Sequence, residues 1–151
     1  MERRKFLSLC AFGAAASILA PSALSAIDFR STKPKVWTAT KIDAAMIELF
    51  GTADAADSAD IEVKAPDIAE NGAVVPVSVK TSLNAKTVAL FQDANPESAV
   101  IVIDMQPRML PDFDFRIKMA KSGNVVAVVE VDGKLFKATK AVKVTMGGCG
   151  G

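Results

Sequence analysis

No histidine and no tyrosine occur in the 151 residues. The first absence removes the side chain that most often serves as general base at neutral pH. With it go the Ser/His/Asp and Cys/His arrangements and the commonest ligand for zinc and copper. Cysteine is scarce, at two residues, and tryptophan scarcer, at one. The formal net charge is +1, and beyond the first few residues there is no dense run of lysine or arginine, so nothing asks for a nucleic acid partner. Any catalysis by this chain alone would rest on carboxylates, lysines or a thiol. The chain therefore reads as something acted upon by other proteins and not as an enzyme; no catalytic residue, metal site or cofactor is assigned to it.

What is present begins with an amino-terminal stretch, MERRKFLSLCAFGAAASILAPSALSA. Charged residues, a short apolar run from Phe6 to Ala20 and then small residues are the layout of an export signal. The run is too short for a comfortable transmembrane helix, and no stable membrane span is expected after processing. Arg3 and Arg4, followed by Lys5, Phe6 and Leu7, resemble the twin-arginine signal, with Glu2 where that pattern prefers Ser or Thr. Cleavage near Ser25 or Ala26 makes residues 1–26 the signal and places the mature chain in the periplasm. The mature chain then carries 15 Lys+Arg against 16 Asp+Glu, and it loses Cys10.

One cysteine remains, Cys149, in a compartment where thiols tend to be oxidised. It stands between Gly147-Gly148 and Gly150-Gly151 at the very end of the chain. Glycine loses more backbone entropy on ordering than any other residue, so residues 146–151 read as a flexible arm carrying a nucleophile. From Thr145 to Cys149 the arm reaches at most about 14 Å, enough to enter an active-site channel. Glycines keep it thin. No lysine stands closer in sequence than Lys143, so activation of the thiol is expected from partner proteins. A disulfide homodimer through Cys149 is the plainer use of the same residue.

The rest, residues 27–145, has 50% hydrophobic and 23% charged residues over the whole chain to draw on, enough for one core and one domain. Ile42, Ala45, Met46, Leu49 and Phe50 fall at helical spacing, with Thr40 as cap and Gly51 as stop. Residues 52–60 read as a polar linker, its Asp54, Asp57 and Asp60 lacking the glycine and terminal glutamate of a calcium loop. After it the period changes to two. Strands are expected at Ile61–Val63, around Val75, Val77 and Val79, at Val88–Leu90, at Ala99–Asp104, and through Phe113, Phe115, Ile117 and Met119. Two longer strands follow around Asp132-Gly133, the signature of a two-residue hairpin. Seven strands after one short helix predict a mainly β fold, an immunoglobulin-like β-sandwich, with a small barrel as the alternative. Asn71-Gly72 fits a turn before a strand, and Trp37 a packing anchor.

The closing GGCGG, with IAENGAVVPV (68–77), FRIKMA (115–120) and the export signal, resembles the SoxY family of thiosulfate-oxidation (Sox) sulfur carriers. The resemblance covers essentially all of the mature chain. It implies that Cys149 is loaded with thiosulfate by a haem cytochrome complex. A manganese hydrolase then removes sulfate, and a molybdenum and haem dehydrogenase oxidises the remaining sulfur. It further implies a heterodimer with a small β-rich SoxZ-type partner. Two other readings stay open. One is a ubiquitin-like sulfur carrier that turns the Gly150-Gly151 carboxylate into a thiocarboxylate, a step needing ATP. The other is an exported immunoglobulin-like interaction module with a disulfide-forming tail.

Overall fold

A computed structural model describes residues 27–145; the expected export signal (1–26) and the expected glycine arm (146–151) lie outside them. The chain folds as an immunoglobulin-like sandwich of two sheets with a helical layer laid on the larger one. The larger sheet has the order β1-β9-β8-β5-β6, with β3 also on β9; the smaller has the order β2-β4-β7. Here β1 is Ala56–Asp57, β2 Ile61–Lys64, β3 Ile68–Ala69, β4 Val75–Thr81, β5 Thr87–Gln92, β6 Ala99–Asp104, β7 Asp112–Ile117, β8 Gly123–Val131 and β9 Lys134–Val144.

The two sheets follow different burial rules, for a reason visible in their sequences. Along β4, Val75, Val77, Val79 and Thr81 are buried, while Pro76 and Lys80 are exposed. In β7 the phenylalanines are half-buried and Asp112, Asp114 and Arg116 exposed. Alternation of this kind belongs to a sheet with one wet face. All six residues of β5 are buried, as is the run Val125–Val129 of β8. Such strands need cover on both faces. Val88, Leu90, Val125, Ala127 and Val129 turn toward the smaller sheet. Ala89, Phe91, Val126 and Val128 pack instead against Val36, Ala45, Met46 and Leu49 of the helical layer.

That layer holds more than the single expected helix. A four-residue helix α1, Phe29–Thr32, is capped by the Asp28 carboxylate, which accepts from the Arg30 and Ser31 N–H groups (3.0 and 3.4 Å). A hydrogen bond with the Ser31 side chain first, and then these two N–H groups, hold the Asp28 carboxyl below its ordinary value. A 3-10 turn, Pro34–Thr38, buries Val36, and its Trp37 ring donates to the Phe29 carbonyl (3.2 Å) beneath the Arg30 guanidinium. The expected helix is α2, Ile42–Phe50, stopped by Gly51 in the left-handed region at φ 83°. Its N-cap is Lys41, not Thr40, and no side chain bonds there.

Two further expectations are corrected. Residues 52–60 are not merely a linker, because β1 runs parallel to β9 within them, pairing Ala56 with Phe136 and Asp57 with Lys137. The described strands number nine rather than seven, the second addition being β3. Both are two residues long and are defined by their partner, too short to show a period of their own. The hairpin stands as expected, with Asp132 and Gly133 both at positive φ (49° and 76°) and β8 and β9 in register from Val131–Lys134 to Gly123–Val142.

Candidate functional site

Every residue singled out by sequence for function lies outside the described body: Cys149, Gly147, Gly148, Gly150 and Gly151 at one end, Arg3 and Arg4 at the other. What the structure describes is the platform from which the arm departs, at the end of β9. There the chain is held from two sides.

On one side lies β3. It runs parallel to β9, with Ile68 opposite Lys143 and Ala69 opposite Val144. The Lys143 N–H donates to the Asp67 carbonyl (2.9 Å) and the Thr145 N–H to the Ala69 carbonyl (3.0 Å). The Lys140 ammonium pairs with the Asp67 carboxylate, and that hydrogen bond, reinforced by the ammonium charge, holds the Asp67 pKa below its ordinary value. On the other side, the Ser122 hydroxyl accepts from the Val144 N–H (2.9 Å) and donates to the Val144 carbonyl (3.3 Å). A single side chain thus satisfies both main-chain groups of the last β9 residue, in place of the next rung of the β8 ladder.

Beneath the root, Gly72 closes the gap between the sheets. Its carbonyl accepts from the Met119 N–H (2.8 Å), and a Cβ at this position would stand 2.3 Å from the Met119 carbonyl oxygen and 2.9 Å from the Val144 side chain. Only glycine fits. The preceding Asn71 makes the expected turn, its side-chain oxygen accepting from the Ala73 N–H (2.9 Å). Asn95 then fastens the segment just beyond β7 on which Met119 sits, donating to the Lys118 carbonyl (2.7 Å) and accepting from the Ala120 N–H (2.8 Å). Asn95 is itself held by the buried Gln92, whose side-chain oxygen accepts from the Ala94 and Asn95 N–H groups (2.6 and 2.8 Å).

Two stretches distant in sequence, IAENG (68–72) and IKMA (117–120), therefore meet around the last residues of β9. Sequence reading marked both stretches but not their meeting. Ser122 and Asn95 carried no signal at all, since a lone serine or asparagine in a loop is ordinary. Among the described residues there is no group of three or more His, Cys, Asp or Glu side chains disposed to hold a metal ion, and no helix long and apolar enough to cross a membrane.

With this geometry in view, comparison with known proteins is informative. A family model described as sulfur oxidation protein SoxY matches residues 46–149, so the match runs from α2 to Cys149. The solved structure of the sulfur carrier protein SoxY from Chlorobium limicola f thiosulfatophilum is 44% identical. It superposes with a TM-score of 0.64 over 73% of this chain and 96% of that one. Two structures of superoxide reductase (neelaredoxin) from Ignicoccus hospitalis are 20% identical with TM-scores of 0.51 and 0.50. They cover 58% and 56% of this chain and 83% and 80% of theirs, a likeness of fold alone. No curated protein matches significantly. On the strength of the family match and of the 44% identity carried through the sandwich, the chain belongs to the SoxY family of sulfur oxidation proteins.

Proposed function

We propose that this protein is an exported sulfur carrier of the thiosulfate-oxidation pathway, holding its cargo on the thiol of Cys149 and presenting it to partner enzymes. The observation that carries the proposal is a family match that ends on Cys149, the one cysteine of the sequence beyond Cys10. The relative from Chlorobium limicola f thiosulfatophilum is described as a sulfur carrier. A carrier needs a nucleophile and a firm base for it, and the double clamp on residues 143–145 is such a base.

The chemistry belongs to the thiolate and its visitors. In loading, a bond forms between the Cys149 sulfur and the outer sulfur of thiosulfate, the thiol proton is released to water, and two electrons leave one at a time to the haem-containing cytochrome complex. Hydrolysis then cleaves the bond between the two outer sulfurs of the adduct; water supplies the oxygen of the departing sulfate, and a persulfide remains on Cys149. The manganese hydrolase and the molybdenum and haem dehydrogenase are the enzymes that the family resemblance implies for the later steps, with a SoxZ-type subunit as standing partner. Glycines at 147, 148, 150 and 151 leave the backbone around the thiol without side chains, which suits delivery into narrow channels. The twin-arginine signal at Arg3 and Arg4 directs the chain to the periplasm, where ATP-dependent thiocarboxylate formation at Gly151 has no fuel.

The test is mass spectrometry of protein recovered from cells oxidising thiosulfate. Adducts of thiosulfonate and sulfane sulfur are expected on Cys149, and Cys149→Ser abolishes all of them while the thermal midpoint is unchanged. Sulfur found on the terminal carboxylate, or loading that survives the serine variant, refutes the reading.

A further inference from the structure

If Cys149 is delivered into recessed sites on other proteins, as proposed above, the length of the arm dictates where those proteins must sit. Cys149 stands four residues beyond Thr145, which is fastened to Ala69, so its Cα travels at most about 14 Å from a fixed point and the thiol only the length of its own side chain further. A protein that receives the thiol below its own surface must press its channel mouth against the surface around the root of the arm.

Among the described residues, large apolar side chains are exposed at Ile27, Ile47, Ile68, Val74, Met109 and Leu110. Singly, such residues need no explanation. Ile68 and Val74, however, are 57% and 49% exposed on one short segment, whose Ala69 pairs with Val144 and whose Gly72 abuts it. Met109 and Leu110 belong to the loop beyond the opposite end of β7. The five steps from Ile117 to Asp112 alone span about 17 Å, so that pair lies outside the arm's range. Around the root, Lys118, Lys121 and Lys143 are exposed, against Glu70 and Asp93 as exposed acids, the Asp93 carboxylate accepting from the Asn124 main-chain and side-chain N–H groups; the nearby Asp67 carboxylate is paired with Lys140.

We infer that Ile68 and Val74, with the lysines beside them, form a docking collar for the mouths of the partner enzymes' channels. The partner surface it fits is an apolar rim flanked by carboxylates. Two apolar contacts ringed by charge make a small interface that forms quickly and separates quickly, as a carrier visiting several enzymes in turn requires.

The experiment uses the full mature chain together with its SoxZ-type subunit, thiosulfate and the haem cytochrome that conjugates it, with loading followed by the mass of Cys149. Ile68→Asp with Val74→Asp is expected to lower kcat/KM for loading by about tenfold or more, since it removes both apolar contacts and sets acids against acids. Alkylation of Cys149 by iodoacetamide, which needs no docking, is expected to keep its rate. Leu110→Asp, the same change at the far end, is expected to load like the parent. Ile68→Thr with Val74→Thr, which suits strand and turn alike, gives a smaller loss in the same direction and guards against misfolding of the doubly acidic form. Equal loading of parent and collar variants overturns the collar, as does an equal loss in Leu110→Asp. Failure of the parent itself to load overturns the carrier reading, and the collar with it.

Discussion

At the end of the sandwich where Thr145 leaves β9, side chains of Asn71, Gln92, Asn95 and Ser122 all bond main-chain groups, and Gly72 lets two segments touch. At the opposite end, the loop between β6 and β7 exposes Met109 and Leu110, and Arg108 sits at a positive φ of 72°. A left-handed arginine is a small local strain that the loop tolerates. The difference lies between the root and this one loop, for beside it the Thr81 hydroxyl does bond main-chain groups, donating to the Asp60 carbonyl (2.8 Å) and accepting from the Leu83 N–H (3.1 Å). At the root, β3 and β9 end and no regular ladder continues, so individual side chains take over the bonding. A loop with no such duty is left to solvent.

The root is disturbed most directly at Gly72. Gly72→Val drives a branched side chain into the Met119 carbonyl, a main-chain atom that cannot rotate away. A loss of about 3 kcal/mol in unfolding free energy is expected, by analogy with overpacked cores. It is measured as a lower urea midpoint at unchanged slope. A variant as stable as the parent would mean that the two segments part freely and that the root is not a rigid base.

Asn95→Ala comes next. It leaves the Lys118 carbonyl and the Ala120 N–H without their protein partner at the rim, where water replaces part of the bonding. The expected cost is about 1–2 kcal/mol. Leu110→Asp, at 78% exposure, is expected to change stability by no more than about 0.5 kcal/mol. If these two costs came out equal, the contrast between the ends would be one of appearance only.

Which parts of this were legible in the sequence follows from the range of the forces involved. The Asp132-Gly133 hairpin, β6 from Ala99 to Asp104 and α2 from Ile42 to Phe50 carry their signals within themselves, and the structure has them at those bounds. The third layer was missed, although TVALFQ and NVVAVV announce it, since strands without alternation need cover on both faces. Thr40 failed as a cap because Lys41 occupies the capping position. The thiol of Cys149 stands out from composition alone. Its platform does not, because Ala69, Gly72, Met119 and Ser122 are joined only by tertiary contact.

The smallest expected effect is also at the root and has a definite sign with pH. The Asp67 carboxyl is held below its ordinary pKa first by its hydrogen bond with Lys140 and then by the ammonium charge. A group depressed in the folded state stabilises it fully above the unfolded pKa, near 3.9, and loses that contribution as pH falls through the lower folded value. The carboxylate is largely exposed, so the effect on global stability is slight. It is read best locally, in the protection of the Lys143 amide, which donates to the Asp67 carbonyl. Below about pH 4 the protection factor, corrected for intrinsic exchange, is expected to fall slightly in the parent. In Asp67→Asn it should start lower and stay flat across the same range, while the Val128 and Val129 amides in the middle of β8 stay unchanged in both. A fall at all of these sites together would signal global acid unfolding, and the ion pair would then have no separate part in holding the end of β9.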